Sequence, residues 1–186
     1  LILEAIAMGN TKLNEIKNFM GAKRTDISPY LKNLMEVGLV KRSVPITENA
    51  RSRKGRYRIS DNFIRFWFKY VYPNLSSIEE GIFDSGAIKE DYNAYLGHVF
   101  EDVCRQFLAR TMASGFTKAG KWWHEDKEID IVGLNEKTSE ILFVECKWKD
   151  NVNPEAILSK LREKAMHVEW RNNRRKEKYC IISKSF

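Results

Sequence analysis

Two strand-like stretches carry charge where a strand interior usually holds apolar side chains, and no other feature constrains the chain as much. Glu128-Ile129-Asp130-Ile131-Val132 sets a carboxylate between two isoleucines. Glu140-Ile141-Leu142-Phe143-Val144-Glu145-Cys146-Lys147-Trp148 ends an apolar run on Glu145 and Lys147. Side chains alternate along a strand, so Glu145 and Lys147 share one face. A carboxylate removed from water is costly unless it is paired, hydrogen-bonded or bound to a cation. The fold that accepts these strands must therefore bring compensating groups to them.

The surrounding pattern supplies that setting. Asp91–Ala113 reads as a long amphipathic helix, with Tyr95, Val99, Phe100, Val103, Phe107 and Leu108 on its buried face. Lys121–His124 is a short strand, and Asn135–Ser139 a polar turn. Pro154–Glu169 reads as a helix and Tyr179–Ser183 as a buried strand. The order is helix, three strands, helix, strand. Glu101 lies on the first helix, where the plain reading is a surface pair with Arg105 one turn on. An Asp and a Glu on neighbouring strands can instead share one hard divalent cation, Mg²⁺ or Mn²⁺, with water. A lysine on the same face can then meet charge that develops on a phosphate. Asp130 and Glu145 are thus candidate metal ligands, and both with Lys147 are candidate catalytic residues. On the later helix Lys160 and Lys164 lie one turn apart, and Met166 and Trp170 read as core.

The first half has a different grammar. Leu1–Met8, Lys12–Met20 and a helix capped by Asp26 or Ser28, with Pro29 in its first turn, are three short amphipathic helices. Leu39–Arg42 and Arg56–Ile59 are strands around a basic loop, Pro45–Gly55. Three helices and a hairpin in this order make a winged helix-turn-helix, whose third helix enters a major groove while the hairpin touches the backbone. Ser28, Tyr30, Lys32 and Asn33 are the groove candidates. Lys41, Arg42, Arg51, Arg53, Lys54 and Arg56 are phosphate candidates, and with Arg58 they face only Glu48 in that span. The alternatives are a solvated basic hairpin or a protein-docking module. Ser60-Asp61-Asn62 caps an aromatic helix, Phe63–Val71, that Pro73 ends. Its aromatics read as core or as a wedge between domains before they read as a base-stacking surface. The domain reading is 1–60, then a connector at 61–91, then 92–186.

The net charge of +7 favours a polyanionic partner, and the excess lies mostly in the first half: 15 Lys and Arg against 10 Asp and Glu over residues 1–90. Three scattered cysteines, Cys104, Cys146 and Cys180, argue against a disulfide scaffold and for a reducing, cytoplasmic setting. No CxxC pair or zinc-spaced histidines occur. No run reaches the roughly 18 apolar residues of a membrane span, so no membrane partner is expected. Leu1–Met8 already reads as the middle of a helix, which predicts residues ahead of it.

"EIDIV" followed after a turn by "LFVECKW", with "GHVFEDVC" upstream, resembles the PD-(D/E)XK nuclease superfamily over about residues 92–184. That resemblance implies a restriction-endonuclease-like αβββαβ domain, α+β or α/β in class, with Asp130, Glu145, Lys147 and Glu101 as its catalytic set, Glu101 joining Asp130 and Glu145 as a metal ligand, and a further polar residue on the later helix, for which Lys164 is a weaker choice. Ile129 stands where many members have proline. The whole chain also resembles the C-terminal region of archaeal and bacterial P-loop ATPases, carried by "SPYLKNLMEVGLVKR" and "YRISDNFIRFWFKYVYP". There a winged helix is followed by a nuclease-like domain. No GxxxxGK[ST] appears in these residues, so the ATPase module is an expected partner on the same chain. The leading expectation is a DNA-binding, metal-dependent nuclease portion of a larger ATPase. The others are a non-catalytic interaction or regulatory module of such an ATPase, and a winged-helix transcriptional regulator.

Overall fold

The structure is a computed structural model and describes residues 1–22, 24–111 and 115–184. Helices and sheets combine into two compact units of a mixed α+β chain. One unit holds Leu1–Val44 and Ala50–Lys89, the other Pro45–Asn49 and the chain from Glu90 onward. Among the described residues no helix is long and apolar enough to cross a membrane.

The first unit contains α1 (Ile2–Ala7), α2 (Leu13–Phe19), α3 (Ser28–Glu36) and the antiparallel hairpin β1 (Val40–Ser43) and β2 (Arg56–Ile59). Ala5, Ile6, Ile16, Ile27, Leu31, Val40 and Ile59 fuse these elements into one apolar core. The helix starts are fixed by acids. Glu15 accepts the backbone N–H groups of Thr11 and Lys12, both at 3.0 Å. Ile27, rather than the expected Asp26 or Ser28, holds the N-cap position of α3, and Asp26, one residue ahead of it, accepts from Ser28 N at 3.0 Å. Asp61 does the same for Ile64 N at 2.9 Å and opens α4 (Asn62–Phe66).

The aromatic helix is not uniform. After α4 the chain widens into a π-helical turn at Trp67–Val71, tightens to 3-10 at Tyr72–Asn74 and resumes as α5 (Leu75–Glu79). Pro73 does not end the helical path, because it falls in the first turn of a new segment, where its missing N–H costs nothing. The stretch from Leu75, expected as a connector, is therefore partly helical. Ile64 and Phe68 pack on the first unit's core and Tyr70 is buried, while Phe63 stays 70% exposed.

The second unit contains α6 (Lys89–Thr111), β3 (Lys118–His124), β4 (Lys127–Asn135), β5 (Glu140–Lys147), α7 (Pro154–Met166) and β6 (Lys176–Ser183). The sheet order is β3-β4-β5-β6, antiparallel except for the parallel β5–β6 pair. Helix, three strands, helix and strand follow in the order read from the residues. Leu161, Ala165 and Val168 join Trp122, Ile129, Val132, Leu134, Ile141 and Phe143 in one core. Cys104 and Leu108 of α6 join Ile131, Leu142, Val144 and Cys146 in another. Segment 45–49 belongs to this unit: Ile46 enters the first of these cores, and its N–H reaches Lys121 O at 2.9 Å. The loop after β1 is thus anchored over part of its length rather than wholly solvated.

Several burial expectations change. Val103 and Phe107 of α6 are more than half exposed, because the sheet covers only the strip through Phe100, Cys104 and Leu108. The expected helix end at Ala113 lies outside the described residues. Met166 is 72% exposed, whereas Trp170 does pack against the core. β6 is an edge strand and is at most half-buried. Arg175, in the middle of the basic run Arg174-Arg175-Lys176, is structural. Its guanidinium donates to Ala165 O at 2.9 Å and Trp170 O at 3.3 Å, also reaches Val168 O, and pairs with Glu177. It closes the C-terminal end of α7, where carbonyls have no partner within the helix.

Replacing Arg175 with Ala strips a buried cation from these carbonyls. The expected loss is about 2–3 kcal/mol of unfolding free energy, measured by urea titration. A loss within error of zero would show that the carbonyls are satisfied without it.

Candidate functional site at the forked end of the sheet

The site forms because the sheet splits. β4 and β5 are paired from Asn135–Glu140 up to Ile131–Val144, and there the ladder ends. Beyond that point β5 stays paired with β6 through Cys146–Ile182 and Lys147–Ser183, while β4 stays with β3 through Ile129–Trp122. The two halves part like the arms of a fork. The Cys146 N–H, left without a ladder partner, donates to Asp130 Oδ2 at 2.7 Å. A side chain thus takes over where the backbone ladder stops.

A bulge helps to aim Asp130. β3 and β4 pair Gly120 with Val132 but Trp122 with Ile129, so Lys121 alone stands opposite both Asp130 and Ile131. Such a two-against-one step bends the strand and re-aims its side chains.

Glu145, on β5, is 6% exposed and is held by two lysines. Lys147 Nζ donates to Oε1 at 2.7 Å, and Lys164 Nζ from α7 reaches Oε1 at 3.1 Å and Oε2 at 3.0 Å. Burial pulls the Lys147 pKa down, but its hydrogen bond and attraction to Glu145 win and leave it raised. On α6, Glu101 faces His98 Nδ1 at 3.6 Å and forms a close ion pair with Lys121. Lys121 also donates to Glu128 Oε1 at 3.0 Å. Burial pushes the Glu101 carboxyl up, yet the neighbouring His98 imidazole and the charge of Lys121 hold it below its ordinary value. Burial likewise works against charged Lys121, but Glu101 and Glu128 raise its pKa.

Asp130 has no such cation of its own. Burial, then the charges of Glu101 and Glu145, push it up to about 6, against the opposing pull of the Cys146 N–H and of Lys121. Behind it lie Cys104 and Cys146, free thiols whose pKa values burial raises, which keeps them protonated.

The structure therefore brings Glu101, Asp130, Glu145 and Lys147 into one electrostatic neighbourhood and adds Lys164, Lys121 and Glu128. Glu101 does not pair with Arg105, which bonds Asp102 at 2.9 Å instead. Lys121 and Glu128 escaped sequence reading because their roles depend on the bulge and on α6 crossing it. The one signal was a lysine at the head of the apolar Trp122-Trp123 pair. Among the described residues no group of three or more His, Cys, Asp or Glu is gathered to hold a metal ion. Hard carboxylate donors are present, and the repulsion Asp130 feels from Glu101 and Glu145 is only partly offset, a chemistry that suits a divalent cation. Glu101 and Glu145 would have to loosen from their lysines to join in holding it.

The nucleic-acid candidates lie in the first unit. Ser28, Tyr30, Lys32 and Asn33 are exposed on α3, with Lys32 3.7 Å from Glu36. Lys41, Arg51, Arg53 and Lys54 are exposed, and Arg56 is half-buried. Arg42 is committed to its own loop: it donates to Ala50 O at 2.8 Å and Ser52 O at 2.6 Å, and its guanidinium fills the space a side chain at Gly55 would need.

A carboxyl raised in the folded state favours folding while it is protonated. The stability linked to Asp130 is fully present below pH 4 and is lost as pH rises through about 6. Asp130→Asn keeps an acceptor for the Cys146 N–H and removes the charge. It should match wild type near pH 4 and be more stable by about 1–3 kcal/mol at pH 7.5, read by urea unfolding at both pH values. Equal stability at pH 7.5 would contradict this electrostatic picture.

Comparison with known proteins places these residues in a family. A family model described as archaeal and bacterial proteins of unknown function, DUF234, matches residues 67–177, a span that takes in Glu101, Lys121, Asp130, Glu145, Lys147 and Lys164. An uncharacterised protein of Methanocaldococcus jannaschii is 56% identical over 154 residues, covering 80% of this chain and 35% of that protein. The chain thus spans about a third of the length of the relative it matches. No solved structure matches the chain. With more than half of its length under the family model, the chain belongs to this family of archaeal and bacterial proteins of unknown function.

Proposed function

We propose that the second unit is a restriction-endonuclease-like, metal-dependent nuclease domain and that the first is a winged helix that holds its DNA. The observation that carries this reading is Asp130 at the fork of the sheet, within the fields of Glu101 and Glu145 and with Lys147 on Glu145. Asp130, Glu145 and Glu101 would hold Mg²⁺ or Mn²⁺, which supplies Lewis acidity to a phosphate and lowers the pKa of water. Lys147 starts on Glu145 and is the cation placed to meet charge that grows on the phosphate. The exposed Lys41, Arg51, Arg53 and Lys54 supply sequence-independent phosphate contacts. The length of the relative supports a place within a longer protein, which we read as a cytoplasmic P-loop ATPase.

A second reading has its own support. Lysines already answer Glu101 and Glu145, and no three-donor group is gathered among the described residues. A non-catalytic interaction module would keep the same charges as structural ion pairs.

Cleavage of labelled single- and double-stranded DNA and RNA separates the two, using this chain and the longer protein with Mg²⁺ or Mn²⁺. Asp130→Ala should abolish cutting. Lys147→Ala should lower kcat by about 10²–10³ with KM little changed, as expected for a contact made in the transition state. Replacing Arg51, Arg53 and Lys54 with Gln should weaken binding to all sequences and flatten its salt dependence. No cutting, or equal cutting by wild type and both site variants, rejects the nuclease reading. Unchanged affinity rejects the hairpin as a DNA contact.

A further inference from the structure

Lys121 occupies a singular position in the second unit. It is the one β3 residue set against the β4 bulge, and its ammonium lies between Glu101 of α6 and Glu128 of β4, donating to both. Its side chain is only 29% exposed, so these pairs are partly shielded from water and from salt. Asp130, across the bulge, takes its hydrogen bond from a backbone N–H instead. The lysine charge is thus spent on the flanking acids, and the acid nearest the fork keeps its repulsion. A cation recruiting Glu101 to Asp130 must first take it from Lys121.

We propose that Lys121 is the built-in counter-ion of the acid cluster and sets how tightly the cluster takes a divalent cation, keeping Glu101 paired until that ion displaces it. The inference rests on the metal reading above and adds its regulation. Charge balance gives it a direction. Removing Lys121 frees Glu101 and deepens the negative field at the fork. Removing Glu128 leaves Lys121 to Glu101 alone and tightens that pair. The two changes therefore act oppositely on cation affinity. Lys127, next to Glu128 on β4 but paired with the exposed Asp126 at 3.4 Å, serves as the local control.

Mn²⁺ binding to the 186-residue chain, followed by electron paramagnetic resonance of the free ion, tests the proposal without any need for activity. Lys121→Met should bind Mn²⁺ about tenfold tighter than wild type, the scale of one unscreened charge near the site. Glu128→Gln, which keeps the strand intact, should bind about threefold weaker. Lys127→Met should equal wild type. Circular dichroism melting identifies a variant that has unfolded, and in that case the opposite shift of Glu128→Gln decides. Unchanged or weaker binding by folded Lys121→Met, or unchanged binding by Glu128→Gln, overturns the proposal. So does a Lys127→Met effect as large as that of Lys121→Met. Absence of Mn²⁺ binding in every variant overturns both this inference and the metal reading. The predicted shifts without cleavage of any nucleic acid uphold the inference and reject the nuclease reading alone.

Discussion

The Cys146 N–H, donated to Asp130 at 2.7 Å, is the contact on which the arrangement of the second unit turns. A sheet that parts leaves backbone groups without partners, and a buried unpaired amide is costly. At Ile131 and Val144 the β4–β5 ladder stops while each strand keeps its other neighbour. The aspartate supplies the missing acceptor. The sheet can therefore open at one end without losing the hydrogen bond, and the opening admits Glu101 from α6 and Lys164 from α7. The split is also what places a carboxylate among apolar strands, so one feature accounts for both the shape and the charge of the site.

The charges around the fork fall into two classes. Glu101 and Glu145 are answered by lysines at hydrogen-bond distance, and such pairs strongly resist the loss of one partner. Asp130 has a backbone N–H as its hydrogen-bond donor and feels both neighbouring acids as repulsion, which the more distant charge of Lys121 only partly offsets. The site thus holds one acid whose repulsion is only partly offset beside two acids paired with lysines.

Much of this organisation was legible in the residues. The order of elements in the second half follows from hydrophobic period and turn residues. Asp130, Glu145 and Lys147 stood out because charge interrupts apolar strands, and that signal survives without knowing the fold. Lys121 did not stand out, because a lysine in a short strand is ordinary until the register places it opposite a bulge. Arg175 was hidden for a related reason: within the run Arg174-Arg175-Lys176 nothing marks the one guanidinium that turns inward to the end of α7. Val103 and Phe107 share the period of a buried face, but period does not say how wide a strip the sheet covers. Met166 failed in the same way at the last turn of α7. Pro73 alone suggests a stop, yet a proline is equally at home in the first turn of the next segment.

Direct titration of the Asp130 side-chain carboxyl by carbon NMR tests the central claim, that Glu101, Asp130 and Glu145 form one electrostatic site. The account predicts a midpoint near about 6, well above the ~3.9 of an unperturbed aspartate. It also predicts a downward move when Glu101 or Glu145 is replaced by Gln. A midpoint at or below the ordinary aspartate value, or one that ignores both substitutions, would contradict it.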